Sequence, residues 1–209
     1  MKIRLHLKIF IFILIFILTN QIKIYGILML FALIHELGHI LMGLILGFKP
    51  ASLEIMPFGL SVAFDIKCED YNKKIKNGTL LSLKKLLIAS AGPLTNLIIT
   101  IIYLIFDITF LGISREHIIY SNILIGIFNL LPIYPLDGGR IVKNIAHIIL
   151  GLKEAYSCTN IISYISIIII TVISSILILY LKNIAIIIIL AYLWYLVIKE
   201  NRIYQKKYQ

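Results

Sequence analysis

Long apolar runs dominate this chain and limit what it can fold into. A helix needs about 20 apolar residues to cross the hydrocarbon core of a bilayer, and it satisfies its own backbone hydrogen bonds without water. The runs lie at residues 5–19, 25–46, 86–106, 118–131, 161–181 and 184–198. We therefore predict an all-α polytopic membrane protein with six transmembrane helices.

The composition agrees with this class. Of the 209 residues, 60% are hydrophobic and 14% are charged, and the mean hydropathy is +0.99. A soluble domain of this length does not carry such an apolar excess. The net charge of +10 does not indicate a nucleic-acid partner, because no basic stripe is interleaved with exposed aromatic residues.

The distribution of positive charge predicts the orientation in the membrane. Cytoplasmic loops of membrane proteins collect Lys and Arg. With a cytoplasmic N-terminus, 17 of the 20 Lys and Arg residues fall in cytoplasmic segments, and the C-terminus is cytoplasmic too. No small-residue cleavage site follows the first run, so we expect it to be an uncleaved span. Cys68 and Cys158 then face the reducing side as free thiols.

One segment is apolar but too broken to span a membrane. Residues 52–64 carry the turn Pro57-Phe58-Gly59 at their centre. Strand-forming residues on both sides of such a turn favour a β-hairpin. We therefore predict a short membrane-associated β-hairpin between the second and third spans.

The second run contains the pattern His35-Glu36-Leu37-Gly38-His39. Helix positions i and i+4 share a face, so both imidazoles can reach one metal ion, and Glu36 can address a water on that ion. This is the H-E-x-x-H spacing of zinc hydrolases. Ionisable groups inside a membrane span are costly unless they are paired or bound to metal. The pattern therefore predicts a zinc site within the bilayer.

A catalytic zinc needs a third protein ligand. Asp137 is the best candidate, because it is acidic and follows the cytoplasmic end of the fourth run, at a depth that matches His39. The adjacent Gly138 and Gly139 allow the backbone to turn its carboxylate back into the bundle. Asp107 is a weaker candidate, because it lies at the outer end of the third run.

These residues predict hydrolysis. Water on zinc has a lowered pKa, and Glu36 is suited to take its proton and return it to the leaving amine. The developing negative charge needs hydrogen-bond donors. Asn96, Asn129 and the backbone amides near Asp137 are candidates for this role.

Two further stretches complete a resemblance to a known family. They are Ala91-Gly-Pro-Leu-Thr-Asn96, whose small residues allow close helix contact, and Asn129-Leu-Leu-Pro-Ile-Tyr-Pro-Leu-Asp137-Gly. With His35–His39 and Met56-Pro-Phe-Gly59, they resemble the site-2 protease family of intramembrane zinc metalloproteases, peptidase family M50. The likeness covers about residues 25–150. Six spans with cytoplasmic ends are most similar to the sporulation-type branch, which processes a pro-sigma factor.

The resemblance implies a zinc metalloendopeptidase that cleaves a membrane-associated protein, such as a pro-sigma factor or another membrane-tethered regulator. It implies one zinc ion per chain, with His35, His39 and Asp137 as ligands and Glu36 as general base. The predicted substrate contacts are Phe58 and Gly59 of the hairpin, Asn129 and Pro135 near the cleavage site, and Asn96.

We expect a single membrane-embedded peptidase domain over residues 1–209, with a catalytic core at about 25–150 and a C-terminal helix pair at about 161–199. Neither the CBS domain usual in the sporulation branch nor the PDZ domain of the branch that trims anti-sigma factors is expected. The expected location is a bacterial cell membrane. Candidate partners are the lipid bilayer, the protein substrate, an inhibitory or regulatory membrane protein and a second copy of the chain.

Two alternatives remain open. A metal-binding transporter or chaperone-like membrane protein would use the same ligands without hydrolysis. Such a protein would not need Glu36, and transporters usually contain repeated half-structures. A different membrane zinc peptidase would take its last ligand from a glutamate on a later helix, but Glu116 and Glu154 do not lie in such a motif.

Overall fold

The computed structural model describes residues 2–5, 17, 22–56, 59–65, 76–107, 110–181 and 184–208. Within these residues the chain is mainly helical. The helices are α1 (Ile22–Ile45), α2 (Lys76–Ile105), α3 (Arg115–Leu130), α4 (Asp137–Leu150), α5 (Leu152–Leu181) and α6 (Ile184–Tyr208). The strands are β1 (Lys2–Leu5), β2 (Lys49–Met56) and β3 (Gly59–Asp65).

Three of the described helices are long and apolar enough to cross a membrane. These stretches are Ile22–Ile45, Thr79–Ile105 and Leu152–Tyr180. They overlap the apolar runs predicted at 25–46, 86–106 and 161–181, so the prediction of a mainly helical membrane protein is confirmed.

For each of the other three predicted spans, the described residues contain no helix that both is long enough to cross a membrane and has the predicted bounds. Helix α3 has 16 residues, which at 1.5 Å per residue gives about 24 Å, less than the roughly 30 Å hydrocarbon core. Helix α6 runs to Tyr208, well past the predicted end at residue 198. The run predicted at 5–19 lies outside the described residues, except for Leu5 and Ile17. The count of six spans therefore stays a prediction.

Helix α1 separates apolar from polar residues in the sense expected for a lipid-facing helix. The exposed residues Leu33, Leu37, Leu41 and Leu44 recur every three or four positions. The polar residues of the H-E-x-x-H pattern lie on the buried side. Lipid-facing leucines thus leave the polar side chains of α1 to be satisfied inside the protein.

A small sheet precedes and follows α1, with the strand order β1–β2–β3. Strands β2 and β3 pair antiparallel, with Met56 opposite Gly59 and Lys49 opposite Asp65. The predicted turn at Pro57 and Phe58 lies outside the described residues, and the association of this sheet with the membrane stays a prediction.

Strand β1 is a feature that the sequence analysis did not predict. It pairs parallel to β2, with Lys2 beside Ser52 and Leu5 beside Ile55. Its partner is about 50 positions away in the chain, and a four-residue strand has no periodicity of its own to detect. Long-range pairing of this kind is therefore invisible to local patterns.

The described chain divides into two compact units. The first comprises Met1–Asn77 and Leu87–Asn129, and the second comprises Gly78–Leu86 and Leu130–Gln209. In the second unit, α5 packs against both α4 and α6. Its core includes Ile167 and Leu193. The single peptidase domain expected over residues 1–209 stays a prediction.

In the first unit, α1 packs against β2 and β3. The contact is tightest at Gly43, where an added Cβ would lie 2.2 Å from Cε1 of Phe64. The Phe64 ring also meets the buried Phe48 ring, with 6.3 Å between centroids. Gly47 has φ +85°, a value that favours glycine, and it turns the chain from α1 into β2. The glycine at 43 therefore lets the sheet approach the helix.

We expect Gly43→Ala to lower the unfolding temperature of the purified protein. The new methyl group must displace the rigid Phe64 ring, and overpacking of this kind costs about 1–3 kcal/mol. The matched control is Gly26→Ala on the same helix, because nothing lies within 4 Å of its added Cβ. Thermal unfolding in one detergent compares the two variants, and equal unfolding temperatures would contradict this packing.

Candidate metal centre

Two histidines on α1 lie side by side in a buried environment. His35 is 2% exposed and His39 is 3% exposed. Their Nε2 atoms are 3.2 Å apart, and the ring planes are nearly perpendicular at 84°. Glu36 is buried next to them. Helical spacing of four residues has therefore brought both imidazoles to one point, as the sequence predicts.

The other ring nitrogen of each histidine has a defined partner on α2. His39 Nδ1 lies 2.7 Å from the backbone oxygen of Ile88, and His35 Nδ1 lies 3.0 Å from Oδ1 of Asn96. A carbonyl oxygen can only accept, so in both rings Nδ1 carries the proton and donates it. In the neutral form of each ring, Nε2 then holds the lone pair. Both Nε2 atoms are therefore suited to serve as metal ligand atoms.

Small residues let α1 and α2 approach closely enough for these contacts. A Cβ on Gly92 would lie 2.3 Å from Nε2 of His39 and 2.6 Å from Nε2 of His35. A Cβ on Gly38 would lie 2.2 Å from Oγ1 of Thr95. In membranes, glycine at such positions allows close helix contact. Gly92 thus forms the surface of α2 that faces the two Nε2 atoms.

Asp137 is the first residue of α4 and is 5% exposed. A carboxylate in the first turn of a helix is favoured by the helix dipole. Arg140 lies one turn on, with its Nη1 atom 3.7 Å from Oδ1 of Asp137. Both the helix N-terminus and the guanidinium of Arg140 therefore place positive charge beside the carboxylate of Asp137.

The glycines after Asp137 are needed for the path of the preceding segment. A Cβ on Gly138 would lie 2.1 Å from the backbone oxygen of Leu130, and one on Gly139 would lie 2.3 Å from the backbone nitrogen of Tyr134. The segment before α4 therefore folds back against the start of that helix. Tyr134 is held by a backbone hydrogen bond to Oγ of Ser163, at 3.1 Å.

His35, His39 and Asp137 form a buried group that could hold a metal ion. One ligand atom from each residue lies within 4.8 Å of the other two. Two imidazole nitrogens bound to a tetrahedral zinc at 2.0–2.1 Å are about 3.3 Å apart, close to the 3.2 Å between the two Nε2 atoms. Two neutral imidazoles and a carboxylate are also a known catalytic zinc donor set. The residues present therefore fit zinc.

The other predicted site residues have varied surroundings. Asn96 is 1% exposed, and its amide reaches His35 and the backbone oxygen of Asn122. Asn129 is half-buried and donates from Nδ2 to the backbone oxygen of Ile125. Gly59 is the first residue of β3. Pro135 is half-buried, and Phe58 lies outside the described residues.

The weaker candidates for the third ligand are exposed. Asp107 has an 87% exposed side chain and pairs with Arg115 at 4.0 Å. Glu116 and Glu154 are exposed residues in the first turns of α3 and α5. No sequence motif indicates the contacts that Ile88 and Arg140 make with the candidate ligands. Arg140 could have been noticed from its i, i+3 spacing to Asp137, but a backbone carbonyl such as that of Ile88 leaves no signal in the sequence.

The fold and this ligand group define a helical membrane protein with a candidate metal centre, and comparison with known proteins identifies its family. The profile of peptidase family M50 matches residues 24–119 and 114–173, more than half of the chain. The chain belongs to peptidase family M50. The family resemblance carried by the sequence motifs is therefore confirmed.

Individual relatives are similar over part of their length. A zinc metalloprotease of Methanocaldococcus jannaschii is 34% identical over 117 residues, which cover 54% of this chain and 31% of that protein. Stage IV sporulation protein FB of Bacillus subtilis is 28% identical over 146 residues, 68% of this chain and 46% of that protein. The alignments thus span about a third to a half of these curated relatives.

A solved structure shares the fold over nearly the whole chain. The site-2 protease from Methanocaldococcus jannaschii matches with a TM-score of 0.64 and 25% sequence identity. The match covers 95% of this chain and 89% of that one. The chain is therefore similar in fold to this site-2 protease.

We expect Gly92→Ala to lower the zinc content of the purified protein. The added methyl group would occupy the space in front of both Nε2 atoms, and neither ring can move without losing its Nδ1 hydrogen bond. The matched control is Gly126→Ala, a buried helical glycine whose added Cβ would meet only Cβ of Asn96, at 3.7 Å. Zinc per chain, measured by elemental analysis, tests this expectation. Equal zinc content in the two variants would contradict it.

Proposed function

We propose that this chain is an intramembrane zinc metalloprotease that hydrolyses a peptide bond of a membrane-associated protein. The observation that carries the proposal is the pair of Nε2 atoms, 3.2 Å apart on a membrane helix, with the Asp137 carboxylate in the same group. Membership of peptidase family M50 supports the same chemistry. The proposed ligands are His35, His39 and Asp137, with one zinc ion per chain.

Glu36 is the proposed general base. When bound, zinc supplies a Lewis acid that polarises the scissile carbonyl and makes water acidic. Glu36 is buried and directly follows His35 on α1. Its carboxylate takes a proton from the attacking water and then delivers that proton to the leaving amine. The apolar surroundings strengthen the electrostatic interactions of the Glu36 carboxylate with the attacking water and with the leaving amine, because little bulk water screens them.

Substrate binding is proposed at the edge of the small sheet. Strand β3 is at one end of the order β1–β2–β3, and a free strand edge can pair with an extended peptide. A peptide bond within a regular helix hides its carbonyl from attack, so a membrane substrate must unwind. Pairing with β3 would hold it extended next to Phe58 and Gly59. We propose Asn129 and Pro135 as further substrate contacts near the cleavage site.

The proposed topology has six spans and cytoplasmic termini. It rests on the concentration of Lys and Arg in the segments assigned to the cytoplasm. A bacterial cell membrane is the proposed location. The proposed substrate is a pro-sigma factor or another membrane-tethered regulator. An inhibitory membrane partner and a second copy of the chain are further proposed partners.

Reporter fusions test the topology. We expect alkaline phosphatase to be inactive when fused after residue 208 and active when inserted at Gly112, between α2 and α3, because the enzyme works only outside the cytoplasm. Fluorescence from a C-terminal green fluorescent protein provides the complementary readout. Activity of the phosphatase at the C-terminus would reverse the proposed orientation.

A metal-binding transporter is the competing function, and Glu36 distinguishes it from a protease. A transporter would need the ligands but not a base. We expect Glu36→Gln to reduce cleavage of a co-expressed membrane-tethered pro-protein by roughly 100- to 10,000-fold, the usual contribution of a general base, while zinc content stays at the wild-type level. Asp137→Asn is the matched comparison, and it should lower zinc content and cleavage together.

Immunoblots of the substrate and elemental analysis of the same preparations give both readouts. Cleavage by Glu36→Gln at the wild-type rate would remove Glu36 as the base and the protease proposal with it. Unchanged zinc stoichiometry in Asp137→Asn would remove Asp137 from the ligand set.

A further inference from the structure

Asn96 is a buried residue whose side chain contacts both α1 and α3. It lies on α2 and is 1% exposed. Its side-chain amide contacts Nδ1 of His35 on α1 at 3.0 Å. The other end of the amide donates to the backbone oxygen of Asn122 on α3, at 3.3 Å. One side chain therefore connects three helices of the first unit.

The orientation of this amide follows from its partners. The backbone oxygen of Asn122 can only accept a hydrogen bond, so the amide end that faces it must be Nδ2. Oδ1 then faces His35. Because Oδ1 also can only accept, His35 must donate from Nδ1, and in the neutral ring the lone pair is then on Nε2. The carbonyl of Asn122 thus determines, through Asn96, which nitrogen of His35 is available to a metal.

The two histidines differ in how this is achieved. His39 donates to the backbone oxygen of Ile88, which no side-chain substitution removes. His35 depends on the side chain of Asn96. In metal sites, the hydrogen bond to the second ring nitrogen of a histidine sets its tautomer and ring orientation and raises its basicity. Asn96 occupies that position for His35.

We propose that Asn96 is a positioning residue of the metal centre, which holds His35 in the tautomer and ring orientation that present Nε2 to zinc. The proposal rests on the proposed function. Asn96 acts through His35 and does not touch the metal. Its neutral amide supports the ring without adding a negative charge to a site that already contains the carboxylates of Glu36 and Asp137.

Asn122 offers a control variant of the same kind. It is also 1% exposed, and its Nδ2 atom donates to the backbone oxygen of Ile118. Among the described residues its Oδ1 atom has no hydrogen-bond partner. Asn122→Leu therefore removes a buried amide of equal size from the same region but keeps the backbone oxygen that orients Asn96.

The experiment measures zinc affinity in detergent by competition with a chelator, and records the visible spectrum of the Co²⁺-substituted protein. Asn96→Leu is expected to weaken zinc binding about 10- to 100-fold and to shift the Co²⁺ absorption bands. Asn122→Leu is expected to stay within about threefold of wild type. Asn96→Asp keeps an acceptor for His35, so it should restore the Co²⁺ spectrum and most of the zinc affinity.

Each outcome bears on one proposal. Zinc affinity in Asn96→Leu equal to that in Asn122→Leu would overturn the positioning role. If Asn96→Leu does not fold, the same role is overturned by Asn96→Asp binding zinc more than 10-fold more weakly than wild type. A wild-type protein that binds no zinc would instead overturn the proposed function, so failure of the two proposals can be told apart.

Discussion

The structure depends on how the hydrogen-bonding groups of two imidazole rings find partners on an otherwise apolar helix. A neutral imidazole has one N–H donor and one lone pair. Burying either of them in an apolar interior without a partner costs free energy. The donors of His35 and His39 reach acceptors on α2, at Asn96 and Ile88. In the neutral rings, this leaves the two Nε2 atoms, 3.2 Å apart, to serve as metal ligand atoms. The close approach of α1 and α2 at Gly38 and Gly92 is what brings the acceptors within reach.

The sequence predicted those parts of the site that depend on short chain separations. Membrane helices follow from the length of apolar runs, and the His35–His39 pair follows from the helical repeat. Asp137 was identifiable as a candidate third ligand because it is an acidic residue at a helix break, where two adjacent glycines allow the backbone to turn. Strand β1 and the partner of His39 were not predictable in this way. Each depends on backbone groups from distant parts of the chain, and backbone groups are the same at every residue.

Asn96 shows where prediction from local sequence patterns ends and knowledge of contacts between distant parts of the chain is needed. Its amide marked it as a functional candidate, and the expected role was contact with substrate. Its chemistry does not reveal which neighbour the amide meets, since that depends on the approach of α1 and α3. The small residues beside it were likewise predicted to allow close helix contact, but their sequence does not say that the contact would be with the metal ligands. Tertiary packing supplies the missing information in both cases.

The support of His39 by a backbone carbonyl has a consequence for how the site can vary. Every amino acid at position 88 except one that distorts the helix provides the same oxygen, so genetic screens that exchange side chains cannot detect this half of the support. The corresponding support of His35 is the side chain of Asn96, and a single substitution at that position can remove it. The two ligands are thus the same chemical group, but they differ in how easily a mutation removes their support. Random substitutions would therefore remove the hydrogen bond of His35 before that of His39.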